Sequence, residues 1–460
     1  EGNADGMKNG ALSKGRSQTC PTMIWLAIVL ATVGCVSNRD TVWPGDSGPV
    51  GEIVVVDDDI SADGSGIAAT LTPAELLAPT PIGALTPEEQ PTISPGAEMM
   101  TTTHEASVLV YIGSYTHKGG EGIYIYSFDP VTGALEPVGT TKSDNPAFLA
   151  IEPGKRFLYA VNELGEFQGQ PTGAVSAFAI DPQTGLLTFL NQQISQGQGP
   201  AHIAVGVQGY VYVANYSSGT AAVFPTGEDG TLSPASDTVQ HEGTGPDVRR
   251  QQGPHAHSVT LDPGNARLYV ADLGIDKMMI YDLSEDPGKL TPNDPAFVEI
   301  EGGSGPRHFA FHPSGRFAYV INEMGNTVTA FAYDPANGAL ETLQTVPTLP
   351  DDFDGRSHTA DIHILPTGDY LYGSNRGHDS IVIYAIDRED GTLTYVDTVS
   401  TQGKTPRNFA IDPTGTWLLV ANQDSDNVVV FRIDADTGKL TPTGHEIEVS
   451  MPVCVKFLVL

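Results

Sequence analysis

One short phrase recurs along the chain from about residue 108 onward, and it limits the fold more than any other feature. It reads Tyr159-Ala160-Val161-Asn162, Tyr212-Val213-Ala214-Asn215, Tyr269-Val270-Ala271-Asp272 and Tyr319-Val320-Ile321-Asn322. Related phrases end at Ser114, Asn375 and Asn422, so seven copies follow one another at spacings of 47 to 57 residues. A period near 50 residues is that of a propeller, whose small sheets can bury their faces only against neighbouring copies.

Each copy has the same internal order. A short apolar strand such as Pro306-Arg307-His308-Phe309-Ala310-Phe311 leads to a turn such as His312-Pro313-Ser314-Gly315 or Asp412-Pro413-Thr414-Gly415. Proline presets φ there and glycine relieves the reversal into the Tyr-Val strand. An alternating third strand (Val428 to Phe431) and an Asp-x-x-x-Gly-x-Leu turn (Asp334 to Leu340, Asp434 to Leu440) lead to an outer strand. The first copy lacks an inner strand, while Pro452 to Phe457 reads like the inner strands after Pro146, Pro200 and Pro406. The expected fold is therefore all-β: a seven-bladed β-propeller over residues 106–460, with four-stranded blades and a ring closed by the C-terminal strand. Such closure leaves no open sheet edge. Cys454 falls in that strand and reads as a small buried hydrophobe.

Upstream the composition changes. Lys8, Lys14 and Arg16 precede an uncharged apolar run from Met23 to Gly34, which is short for a bilayer span and fits a signal-peptide core. Thr32-Val33-Gly34-Cys35 resembles a lipoprotein cleavage box, so residues 1–35 are expected to direct export and Cys35 to carry a lipid at the cell envelope. Residues 36–105 hold 12 acidic residues and one basic, with abundant Thr and Pro. They read as a disordered linker, unable to bury enough surface to offset their ordering entropy.

Charge and cysteine narrow the function. With 56 acidic and 23 basic residues the net charge is −33, which opposes any extended contact with nucleic acid. Three cysteines supply neither a disulfide framework nor a tetrahedral thiolate site. No cofactor and no resident metal are expected, and the domain is read as a monomer acting on a small molecule.

Antiparallel geometry places inner-strand starts and second-strand ends on one face of the ring. That mouth is expected to gather His202, His255, His257, Arg307, Asp361 and Arg407 with Glu163, Tyr216, Asp272, Glu323, Arg376, Gln423 and Asp424. Strand alternation puts His255 and His257 of Pro254-His255-Ala256-His257-Ser258 on one side. Either histidine suits acid/base chemistry; both with Asp272 suit a metal; both also suit bonding to loop backbone. Arg307 and Arg376 suit an anion or developing oxyanion, or pairing with a rim acid such as Glu323 or Asp361. Glu323 suits orienting water or His257, and Arg407 repeats the Arg307 position.

These residues carry a family resemblance. Tyr111-Ile112-Gly113-Ser114-Tyr115-Thr116, Gly253-Pro254-His255-Ala256-His257-Ser258, Gly305-Pro306-Arg307-His308, Ile321-Asn322-Glu323 and Ser374-Asn375-Arg376 resemble the lactonase seven-bladed propellers. That family includes bacterial 6-phosphogluconolactonases and the fungal carboxy-cis,cis-muconate cyclase. The resemblance implies hydrolysis of a sugar-type lactone with one histidine of the His255/His257 pair, here His257, together with Glu323, Arg307 and Arg376 catalytic; from their place on the same mouth His255, Asp272 and Arg407 are read as binding substrate. Arginines would hold the anionic group and polarise the carbonyl while a His or Glu activates water. Export fits an unphosphorylated lactone better than a cytosolic phosphorylated one. The rival reading is a non-enzymatic surface propeller for binding or adhesion, since Tyr-Val-Ala-Asn also resembles display repeats.

Overall fold

In the computed structural model of the chain, residues 107–460 are described; the expected signal segment with Cys35 and the linker to residue 105 lie outside them. Twenty-eight strands form seven four-stranded antiparallel sheets, numbered here as blades 1 to 7 in chain order. Blade 1 joins the two ends of the domain: Pro452–Val459 pairs with Val108–Ser114, in the register Tyr111↔Lys456. Cys454 is buried there.

The repeated tyrosine explains how the blades lock together. Tyr111, Tyr159, Tyr212, Tyr269, Tyr319 and Tyr372 lie fully buried between blades. Each phenol donates to a backbone carbonyl in the outer turn of the following blade: Tyr111 to Gly185, Tyr159 to Gly230, Tyr212 to Pro287, Tyr269 to Gly338, Tyr319 to Gly391 and Tyr372 to Gly438, at 2.6–3.1 Å. A buried hydroxyl needs a partner, and each such bond is worth about 1 kcal/mol net. Blade 7 has Leu419 at this place, and Trp417 Nε1 instead donates to Pro130 O of blade 1 at 2.9 Å.

The repeated asparagines fasten the opposite end. Asn215, Asn375 and Asn422 donate from Nδ2 to Ser195, Thr348 and Thr401, where the outer strand of the preceding blade ends. Blade 4 carries Asp272 at this position. A carboxylate cannot donate, and its partner is accordingly the His241 Nδ1 at 2.6 Å.

Inner strands break register at their first residues. Shifts fall between Pro146 and Phe148, Pro200 and His202, Ala256 and Ser258, Pro306 and His308, Thr359 and Ile362, and Pro406 and Asn408. A bulge inserts one unpaired residue and re-aims its side chain. The bulged positions are Ala147, Ala201, His257, Arg307, Ala360 and Arg407, with Val453 at the matching shift in blade 1. They form one ring of side chains at the channel mouth.

Candidate active site

Two stacked layers build the mouth. The lower is the bulge ring; the upper is the residue after each repeated Asn, namely Tyr115, Glu163, Tyr216, Leu273, Glu323, Arg376 and Gln423. Blades 4, 5 and 7 put His257, Arg307 and Arg407 on the bulge, while blades 2, 3 and 6 put alanine there.

Glu323 is the hub. Its Oε2 accepts from Arg307 Nε at 3.0 Å and lies 2.9 Å from Arg376 Nη2, while its Oε1 accepts from Arg250 Nη2 at 2.7 Å. Burial alone would raise its pKa; the charges of Arg376, Arg307 and Arg250 together hold it well below the carboxylate range. A carboxylate so held is a poor proton acceptor and a strong organiser of guanidiniums.

Arg307 is 1 % exposed. Its Nη1 donates to Ala360 O and faces His308 Nε2, so Nε and Nη1 are spent while Nη2 has no hydrogen-bond partner among the described residues. His308 Nδ1 lies 2.6 Å from Asp361 Oδ1, and burial beside Arg307 pushes its pKa down to about 4. The neutral ring therefore donates through Nδ1 and accepts at Nε2, steadying Arg307 from below. Arg376 Nη2 also donates to Thr359 O, and its Nε is buried with no partner.

His257 is 4 % exposed, and its Nδ1 has no hydrogen-bond partner among the described residues. Burial first, then Arg307, drives its pKa well below 6.5, so the imidazole is neutral at pH 7. His255 lies before the strand, which starts at Ala256, and the bulge separates the two histidines. The regular alternation expected from sequence therefore fails here. His255 stacks on Tyr216 at 4.6 Å, whereas His257 meets the same ring edge-on at 5.3 Å.

Asp272 is fully buried. It accepts from the backbone N of His255 at 2.7 Å and Gly274 at 3.0 Å besides pairing with His241. This is the geometry of a positioning residue for His255. It is committed away from both imidazoles, and among the described residues no group of three or more His, Cys, Asp or Glu is set out to hold a metal ion. His202 and Asp361 lie one layer below the mouth because the preceding bulge shifts each by one position. There the His202 ring lies 4.0 Å from that of Phe148 at a tilt of 32°, and Asp361 joins His308 to His363.

Across the mouth, Arg407 Nη2 is 3.9 Å from Glu163 and its guanidinium lies 5.5 Å above the Tyr115 ring. Four guanidiniums (Arg250, Arg307, Arg376, Arg407) thus face two carboxylates (Glu163, Glu323), an excess of two positive charges in a strongly acidic chain. Sequence reasoning missed Arg250 and His358. Arg250 rides an excursion between blades 3 and 4, off the repeat, where its one signal is the pair Arg249-Arg250 in a chain poor in cations. His358 pairs with Arg376 across blade 6 and leaves its Nδ1 without a partner.

The lactonase seven-bladed β-propeller family model matches residues 109–457. A 6-phosphogluconolactonase of Bacillus subtilis is 40% identical over 350 residues, covering 76% of this chain and 97% of that protein. A 6-phosphogluconolactonase of Formosa agariphila is 36% identical, covering 66% and 86%. The solved structure of a periplasmic gluconolactonase from Pseudomonas aeruginosa superposes with a TM-score of 0.73 at 35% identity, covering 77% of this chain and 99% of that one.

If Glu323 organises the arginines, Glu323→Gln strands three cations around a neutral amide. We expect a loss of about 3–5 kcal/mol in unfolding free energy at pH 7. Because the folded carboxyl titrates below its unfolded value of about 4.3, the stabilisation is complete above that pH and vanishes as pH falls through the folded pKa. Urea unfolding from pH 7 to 3 should therefore show the gap between wild type and variant closing only at the acid end; a gap constant with pH would contradict this role.

Proposed function

We propose, from the premise that the chain belongs to the seven-bladed β-propeller lactonase family, that its mouth opens a sugar-acid lactone with His257 shuttling the proton. The protein is a lactonase hydrolase; the residue roles are our reading. The observation carrying them is a buried neutral imidazole, its Nδ1 without a hydrogen-bond partner among the described residues, set beside the Arg307 guanidinium.

In this mechanism His257 takes a proton from water as its oxygen attacks the lactone carbonyl. The carbonyl oxygen becomes an oxyanion and meets Arg307 Nη2 and the uncommitted edge of Arg376. When the ring C–O bond breaks, the imidazolium returns its proton to the leaving ring oxygen. The product is a single open-chain hydroxy acid, whose carboxyl ionises in solvent. A low imidazole pKa weakens the base but makes the imidazolium a strong acid for the leaving oxygen. Glu323 serves by fixing the arginines, and the surplus positive charge favours both the oxyanion and the acid product. A display role would leave this one-sided cluster unused.

His257→Ala should lower kcat/KM by about 10²–10⁴, and Arg307→Ala by about 10²–10³, with turnover surviving EDTA. After correction for spontaneous hydrolysis, kcat/KM should cross pH 6.5 without an inflection, since His257 stays neutral there. A histidine-like fall near pH 6.5, or full activity in folded His257→Ala, would contradict the assignment.

We also infer that the domain works outside the cytoplasm, tethered through lipidated Cys35. The support is the Met23–Gly34 apolar run with Thr32-Val33-Gly34-Cys35, together with a solved relative whose name is periplasmic. Labelled fatty acid should enter the wild type and not Cys35→Ala; equal labelling of both would refute the tether.

A further inference from the structure

The geometry points to Glu163, with Tyr115 and Arg407, as a polyol-binding subsite that selects an unphosphorylated sugar lactone. This deepens the lactonase reading and rests on it. Glu163 and Glu323 occupy equivalent places in blades 2 and 5, yet their surroundings differ. Glu323 is sealed by three guanidiniums. Both protein partners of the Glu163 carboxylate lie on Oε2, the Tyr115 hydroxyl at 2.6 Å and Arg407 at 3.9 Å, so Oε1 is left for a ligand. Its side chain is 26% exposed, against 8% for Glu323.

The floor beside it is also different. Blades 2 and 3 place Ala147 and Ala201 on the bulge ring, between Glu163 and the reacting groups of blades 4 and 5. Large side chains fill the ring at His257, Arg307 and Arg407, whereas Ala147 and Ala201 are its small positions, each followed in its strand by Phe148 or His202, whose rings lie 4.0 Å apart at a tilt of 32°. With its carbonyl at Arg307, a lactone would extend its hydroxylated carbons over these alanines toward Glu163. A carboxylate oxygen accepts from one or two hydroxyls, and the Arg407 guanidinium, which makes no hydrogen bond to the described residues, donates to their oxygens. A phosphate at the far end would instead bring a dianion against the open oxygen of Glu163, a carboxylate that faces Arg407 while the other three guanidiniums of the mouth are gathered on Glu323. Like charge rejects a competing ligand as effectively as contacts attract the right one.

The test uses the full chain and Glu163→Gln, in which the amide oxygen still accepts from Tyr115 and a thermal scan reports folding. Kinetics are measured on glucono-1,5-lactone and its 6-phosphate, and D-glucitol binding is followed by calorimetry. We expect the wild type to favour the unphosphorylated lactone. Glu163→Gln should raise its KM and weaken glucitol binding by about tenfold or more, the loss of a hydrogen bond to a charged group. The same variant should narrow the discrimination against the phosphorylated lactone. A wild type that prefers the phosphorylated lactone, or a folded variant with unchanged KM and glucitol binding, overturns the subsite while the lactonase reading stands. Glucitol binding lost in Glu163→Gln, with no turnover of either lactone by wild type, keeps the subsite and removes its lactone substrate. Neither binding nor turnover by wild type removes both.

Discussion

The hydrogen bond from each buried tyrosine to the outer turn of the next blade is the constraint on which the ring depends. Sheets of four strands have no core of their own, and face-to-face packing alone would let neighbours slide. A phenol whose hydroxyl must find an acceptor fixes the radial position of each blade relative to the next. The Asn side chains tie the mouth end in the same way. Between these two fastenings the inner-strand bulges are held at one height, so their side chains form a level ring rather than a scatter.

The chemistry follows from how unevenly that ring is populated. Blade 5 supplies both Arg307 and Glu323, blade 6 supplies Arg376, and the excursion before blade 4 brings Arg250 to the same carboxylate. Packing three guanidiniums together would be costly without that anion, and the anion is held ionised by them. Arg307 Nη2 and Arg376 Nε make no hydrogen bond to the described residues, and neutral His257 lies beside Arg307. Below, the His308–Asp361 pair fixes the acceptor that Arg307 meets. Oxyanion stabilisation of this kind works because the donors are ordered before the substrate arrives.

The fold was legible in the sequence because the blade code is local. Tyr-Val-x-Asn and Asp-x-x-x-Gly-x-Leu recur at fixed offsets, and Pro452 to Phe457 repeats the inner-strand pattern. The partnership of Arg307, Arg376 and Glu323 was legible too, since equivalent positions of neighbouring blades meet at one rim. Bulges were not, because an unpaired residue changes register without changing spacing. That is why His255 and His257 diverge, and why His202 and Asp361 sit one layer lower than alternation suggests. Asp272 stands in the place of a structural Asn, and only its contact with His241, 31 residues earlier, reveals that role. Arg250 belongs to no repeat position and could be placed only by the path of its loop.

A crystal structure of the full chain with an aldonate, the product of sugar-lactone hydrolysis, tests the central claim most directly. The account predicts the carboxylate between His257 and Arg307, within hydrogen-bond reach of Arg307 and Arg376, with the hydroxylated chain over Ala147 and Ala201. An aldonate bound elsewhere in the channel, or seated at the mouth without touching Arg307 or Arg376, would contradict it.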